Sequence, residues 1–269
     1  MVENGPQKQR RIGVIFLNGF VYPGIGFGLL IFLWWFAATF LTNLMPTPIQ
    51  AFYSNLEYIT QPFYRHGPGD VGIGWLLLQS LRRVLTGFIL GSIVAIPLGV
   101  WMGLSPVAMR IFYPVVQVLR PVSPVAWLPI ALALFNSANP SAIFVIFITS
   151  LWATLINTYL GVTSVPRDYI KVAEVLEMPR WRQIYKIILP ASVPYIFTGL
   201  RISLGIAWLV IVAVEMLTGG QGIGFFIWDE WNRLNLGSVY LAIFVIGSTG
   251  LLLDLFLSGV QGAFRKWLE

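Results

Sequence analysis

The chain has 269 residues, of which 57% are hydrophobic and only 10% charged, with a formal net charge of +6 and a mean hydropathy of +0.77. Soluble domains carry roughly 25% charged residues, so this composition excludes an ordinary water-facing globule. There is no cysteine and one histidine, His66, which excludes disulfides, thiolate metal sites and cysteine nucleophiles and leaves His66 to be read as a solvated loop residue rather than a metal ligand.

Residues 1–24 carry Lys8, Arg10 and Arg11 but no compact apolar core followed by a small-residue cleavage site, and read as an uncleaved cytoplasmic tail. A bilayer core takes about 20 apolar residues per helix. The first span is expected at 26–44, stopped by Met45-Pro46-Thr47-Pro48, and the polar stretch 50–74 as the largest outer loop. Arg82 and Arg83 interrupt the next apolar run. An arginine at mid-membrane costs about 2.5 to 3.5 kcal/mol, so the second span is placed at 85–103 with both arginines at its outer boundary. An inner turn at 104–110, broken at Ser105-Pro106, leads to a third span at 111–135 that contains Pro114, Pro121, Pro124 and Pro129. No regular helix keeps its hydrogen-bond ladder through four prolines; this span is expected to be bent or partly unwound, against protein or a water-filled path. The fourth span is expected at 141–162.

Residues 167–190 then gather Arg167, Lys171, Arg180, Arg182 and Lys186 with Asp168, Glu174 and Glu177, so they lie in water. Ile170, Val172, Ala173 and Leu176 nonetheless repeat at helical spacing. The pattern predicts a short helix capped by Asp168, a break at Met178-Pro179, and a second helix running into Ile187-Ile188-Leu189-Pro190. Helix pattern alone leaves two readings open: a docking element for another protein, or a connector packed on its own bundle. A fifth span is expected at 195–217, with Gly199, Ser203, Gly205 and Ala207 offering close helix contact. An interfacial outer helix at 225–231 and a sixth span at 238–260 complete the chain.

Six spans place both termini and the 167–190 segment on one side. That side holds Lys8, Arg10, Arg11, Arg110, Arg167, Lys171, Arg180, Arg182, Lys186, Arg265 and Lys266, against Arg65 and Arg233 plus the borderline Arg82 and Arg83 opposite. This asymmetry makes the segment cytoplasmic and argues against a nucleic-acid surface. One membrane domain is expected at 25–264, with a short tail at 265–269.

No catalytic constellation is visible. A phosphate-binding loop needs lysine after glycine, and none of the four lysines follows one. The glycine-rich stretches at 24–28 and 219–224 lack the preceding strand and following acid of a dinucleotide site, and read as helix packing and a tight turn.

The segment Lys171-Val172-Ala173, then Glu177, then Ile187-Ile188-Leu189-Pro190 resembles the coupling loop of permease subunits in bacterial ATP-binding-cassette importers, with Lys171 at the usual acid and Glu177 at the usual turn glycine. The resemblance continues through Val122-Ser123-Pro124-Val125-Ala126-Trp127-Leu128-Pro129, 194–201 and 222–229, and is strongest with the nitrate, bicarbonate and sulfonate branch, the nitrate permeases above all. It implies an all-α type I importer permease with six transmembrane helices and a cytoplasmic coupling helix pair, in a bacterial inner membrane. It further implies a homodimer around one path, two separate ATPase subunits that hold ATP and magnesium, and a periplasmic or lipid-anchored binding protein. The chain itself would carry no cofactor and catalyse nothing. Lys171, Val172, Ala173, Leu176, Glu177, Trp181, Ile187, Leu189 and Pro190 are the expected coupling residues, with Ile184 on the same docking face. Nitrate or nitrite is the expected cargo, then bicarbonate, then alkanesulfonates such as taurine.

Ionisable residues inside spans are functional candidates. Arg120, in the proline-broken span, is the leading candidate for the anion path; Arg82 and Arg83 would form a positive funnel at its mouth. Arg201 and Glu215 stand about 21 Å apart on one helix and cannot pair. Arg201 near the cytoplasmic end is a further path candidate, Glu215 an outer anchor, and Asp254 a partner for a neighbouring arginine. A secondary transporter or channel is the rival class, but would usually show an inverted repeat.

Overall fold

The computed structural model describes residues 21–268 apart from Asn43 and Pro68; the expected tail at 1–20, with Lys8, Arg10 and Arg11, lies outside them. Among the described residues the chain is helical throughout, with a lone bridge between Arg65 and Val71. Five helices are long and apolar enough to cross a membrane, and a sixth span is the bent pair Pro106–Leu119 and Pro124–Phe135, folded by 98°.

Helix α1, Tyr22–Phe36, ends in the widened turn Ala37–Leu41. It buries almost nothing on its own chain and is held at one end, where Trp34 stacks on Tyr240 at 4.4 Å and donates Nε1–H to the Pro46 carbonyl at 3.1 Å. The stretch expected as an open loop instead folds into α2 (Pro48–Ser54) and α3 (Leu56–Thr60). The cause is local: the Thr47 hydroxyl accepts from Gln50 N–H while the Gln50 side chain accepts from Thr47 N–H, a reciprocal cap with Pro48 in the first turn.

Helix α4, Ile73–Leu104, starts twelve residues before the expected span, because Arg82 and Arg83 are helical and one of them turns inward. The expected inner turn shrinks to Ser105, whose hydroxyl caps Ala108 N–H and lets α5, Pro106–Leu119, begin at once. A short 3-10 turn, Pro124–Trp127, and α6, Leu128–Phe135, complete the broken span. Pro121 and Pro124 lie in the break, where a proline removes a ladder donor, and so the expected bend is realised there.

Helix α7, Ala138–Thr163, is the centre of the bundle. Gly87, Gly91, Ala95, Gly99 and Gly103 form one i, i+4 row of α4. A Cβ at Gly87 would stand 2.7 Å from the Ile143 carbonyl and at Gly99 2.7 Å from that of Leu155, so α4 and α7 approach backbone to backbone. On the other side, α7 meets α10, Leu189–Thr218, where Gly199 lies against Asn157 and the hydroxyls of Thr154 and Ser203 bond at 2.9 Å. Gly205, expected in this contact, faces open space instead. Val84, Val145, Ile146, Ala207, Ile211 and Val214 fill the fully buried core among the three helices.

Between α7 and α10 lie α8 (Arg167–Val175) and α9 (Arg180–Gln183). Helix α9 runs through the widened turn Ile184–Ile188 into α10, so the fifth span begins earlier than expected and absorbs Pro190 and Pro194. The widened turn ends just before Pro190, whose missing donor would have pointed back into it. Helix α11, Ile223–Asn232, lies at the opposite end, burying Ile223 and Phe226 against Ile73, Leu76 and Ala242. Helix α12, Leu236–Leu268, closes the bundle and extends past the expected end at 260.

Candidate functional site

The first candidate is the 167–190 segment. Helix α8 has no side-chain cap; Asp168 sits in its first turn, where its charge suits the helix dipole, and pairs with Lys171 at 3.4 Å rather than capping. Its C-terminus closes with Met178 N–H on the Ala173 carbonyl and Glu177 N–H on that of Glu174, both 2.9 Å. Glu177, at φ 50°, takes the left-handed position that this closure usually gives to glycine. Gln183 then donates to the Met178 carbonyl at 2.8 Å, fastening α9 to the turn.

Two faces result. Ala173 is buried to 1% exposure, and Ile188 packs on Val162 and Val165 with Ile184 and Ile187 beside it. Ile184 and Ile187 therefore belong to the bundle rather than to a docking face, and Leu189 and Pro190 are half-buried at the start of α10. Val172, Leu176 and Trp181 are 58%, 67% and 61% exposed, with Arg182 over the Trp181 ring. Such an apolar stripe on an otherwise charged element marks an interaction surface.

The second candidate is the set of charges within the spans. Glu215, 1% exposed, accepts from both Arg83 Nη1 at 2.7 Å and Ser80 Oγ at 2.8 and 2.9 Å, and from Gly224 N–H at 3.0 Å. Arg83 also donates to Asn139 Oδ1 at 2.8 Å and to the Gln221 carbonyl. Arg83 is thus a clasp that ties α4, α7, α10 and the turn before α11, not a free funnel; Arg82 remains exposed. The Ser80–Glu215 and Arg83–Asn139 contacts were not readable, since they join positions 135 and 56 apart in sequence; the Gly224 amide, nine positions after Glu215, reaches it only through the turn before α11. Arg201 and Asp254 form a fork-to-fork pair, with Nε donating to Oδ1 and Nη2 to Oδ2. This is the arginine partner expected for Asp254.

Arg120 differs: among the described residues its guanidinium has no hydrogen-bond or ion-pair partner. It stands at the junction of two cavities. One, of about 570 Å³, lies toward the α8 end against Met102, Tyr113 and Tyr159. The other, of about 280 Å³, lies deeper in the bundle against Trp127, Thr149, Trp152 and Asn157. The Trp127 indole N–H, in the same lining, is buried without a partner among the described residues. Among the described residues no group of side chains could hold a metal ion. A guanidinium so placed attracts an anion; the lining of the two cavities holds no nucleophile paired with a base.

Residues 87–269 match the family model described as the binding-protein-dependent transport system inner membrane component. The chain is 49% identical over 212 residues to the nitrate import permease protein NrtB of Leptolyngbya laminosa, covering 79% of this chain and 76% of that protein. It is 42% identical to NrtB of a Synechocystis strain over 95% of this chain and 93% of the relative. It is also 41% identical to the bicarbonate transport system permease protein CmpB of Synechococcus elongatus over 94% and 90%. An inward-facing structure of the MetNI methionine ABC transporter superposes with a TM-score of 0.62 at 14% identity, covering 70% of this chain and 93% of that one, which shows a shared fold.

Proposed function

The chain belongs to the family of binding-protein-dependent transport system inner membrane components, and from that premise we propose that it carries nitrate, or nitrite, through the membrane. It is the non-catalytic, multi-pass permease subunit of an ABC importer, so the secondary-transporter reading falls. Such permeases work with ATPase subunits and a substrate-binding protein. The finer arrangement is our reading: two copies of this chain around one path, two ATPases holding ATP and magnesium, a periplasmic or lipid-anchored binding protein, and both termini with α8 and α9 in the cytoplasm.

The observation that carries the anion assignment is Arg120, a guanidinium in the break of the bent span, with no counter-ion among the described residues and a cavity on either side. An unpaired intramembrane cation is costly unless a mobile anion or water meets it. Val172, Leu176 and Trp181 supply the surface on which an ATPase docks, so its closure pulls on α8 and, through α9, on the whole of α10. Bicarbonate is the second reading, favoured by the 41% identity to CmpB; alkanesulfonates such as taurine come third. The test is uptake of isotope-labelled nitrate into liposomes that hold the complete complex, with ATP supplied on the ATPase side. ATP-dependent accumulation of nitrate supports the reading. Accumulation of bicarbonate alone would replace it with the second.

A further inference from the structure

We propose that Arg201 is a receptor for the transported oxyanion and that Asp254 is a tethered stand-in anion which occupies it between transport events. The proposal rests on the anion-permease reading above and adds a second anion position to it.

The Arg201 fork already grips a planar anion with two coplanar oxygens: Nη2 donates to Asp254 Oδ2 at 2.6 Å while Nε donates to Oδ1. A carboxylate edge has the charge and the paired oxygens of an edge of nitrate or bicarbonate, and parallel N–H donors take such an edge bidentately. The fork is thus already set to hold the kind of edge that these anions present.

The pair is placed where exchange can occur. Although both residues lie within spans, their side chains are 45% and 41% exposed. They border a groove of about 270 Å³ between α10 and α12. Gly205 and Gly247 line this groove, and a Cβ at either would touch nothing, so space for a small anion is open beside the fork. Two full charges do not stand open to hydrocarbon, which directs this groove toward water or protein. The same helix lines the Arg120 chamber through Ile202 and Ile206, one residue on from Arg201 and Gly205.

Occupation by Asp254 gives the site two properties a transporter needs. The resting groove is neutral, so no cation holds the cargo indefinitely. The returning carboxylate also competes the anion off, and conduction requires binding weak enough to end.

The test uses the complete permease–ATPase complex in detergent, without binding protein, and follows nitrogen-NMR line broadening of added nitrate. Asp254→Asn frees the fork and is expected to raise nitrate affinity at least about tenfold, the scale of a charge-assisted hydrogen bond. Formate and bicarbonate should displace the nitrate. Unchanged affinity in an Asp254→Asn complex that retains its ATPases and its unfolding temperature would overturn the proposal, as would nitrate broadening that formate does not reduce. If that variant does not assemble, Asp254→Ser is read in its place: raised nitrate affinity supports the proposal and wild-type affinity overturns it. Failure here with intact wild-type nitrate uptake sinks only this inference, whereas absent wild-type uptake sinks the nitrate reading beneath it.

Discussion

Arg83 and Glu215 lie 132 positions apart in the sequence, yet Nη1 and Oε1 meet at 2.7 Å, with the carboxylate 1% exposed. Breaking a buried pair from one side strands the other charge, at a cost of about 3 to 5 kcal/mol. Arg83→Ala is therefore expected to lower the unfolding temperature of the purified permease by much more than Arg82→Ala, whose parent side chain is exposed. The Arg83→Ala/Glu215→Ala double variant should be less destabilised than the two single losses added together. Additivity in that cycle would show that the clasp contributes no coupling.

Glu177 at φ 50° holds a conformation that costs a non-glycine residue roughly 1 kcal/mol or more. Glu177→Gly relieves it and should stabilise the turn by about that amount in denaturant unfolding, with ATPase binding retained. A destabilised Glu177→Gly variant would mean that the Glu177 side chain contributes more than its backbone costs.

Ala173 is fully enclosed whereas Val172, Leu176 and Trp181 stand in solvent, so substitutions there separate folding from docking. Ala173→Asp buries a charge, and should expel the ATPases while the permease still inserts. Leu176→Asp and Trp181→Ala disturb nothing inside the chain and should also lose the ATPases, with the unfolding temperature unchanged. Normal co-purification of both surface variants would remove the coupling role from this stripe.

Arg120 holds no partner among the described residues, so Arg120→Ala is expected to leave unfolding and ATPase binding as they are while nitrate uptake falls by at least about tenfold. Wild-type uptake by that variant would take Arg120 out of the path.

Tyr58 and Tyr64, outside the spans, have their phenol pKa values raised, chiefly by burial; the Tyr58 hydrogen bond and nearby Asp70 raise that of Tyr64 further. A phenol that resists ionisation when folded contributes nothing adverse below the unfolded value near 10. Stability is lost as pH climbs above that value, because the unfolded chain releases the proton more readily. The α3–α11 end should therefore loosen in alkali, and Tyr58→Phe/Tyr64→Phe should reduce that pH dependence in hydrogen exchange.

The spans and the helix pair of 167–190 were legible because both rest on local pattern: apolar runs long enough for a bilayer, and a helical stripe inside a charged stretch. The break in the third span followed from four prolines in twenty-five residues, 111–135. Boundaries were missed where the deciding interaction was a cap or a distant partner. Thr47 with Gln50 turned an expected loop into α2, and Glu215 drew Arg83 into the bundle so that α4 could begin at Ile73. Ile184 read as a docking residue because its spacing matches the stripe, yet the widened turn rotates it onto Ile188 and the bundle. The α4 glycine row was in the sequence at i, i+4 spacing, but its meaning depended on α7 lying alongside, which no local pattern states. The unpaired state of Arg120 was likewise beyond the sequence, since it is a property of what surrounds the side chain.

The most direct measurement is ATP hydrolysis by the purified permease–ATPase complex in liposomes, with its binding protein and with nitrate, bicarbonate or taurine offered in turn. Nitrate is expected to stimulate hydrolysis most, and Trp181→Ala to abolish the stimulation by releasing the ATPases. Hydrolysis that no anion alters, in a complex that retains its ATPases and binding protein, would contradict that expectation.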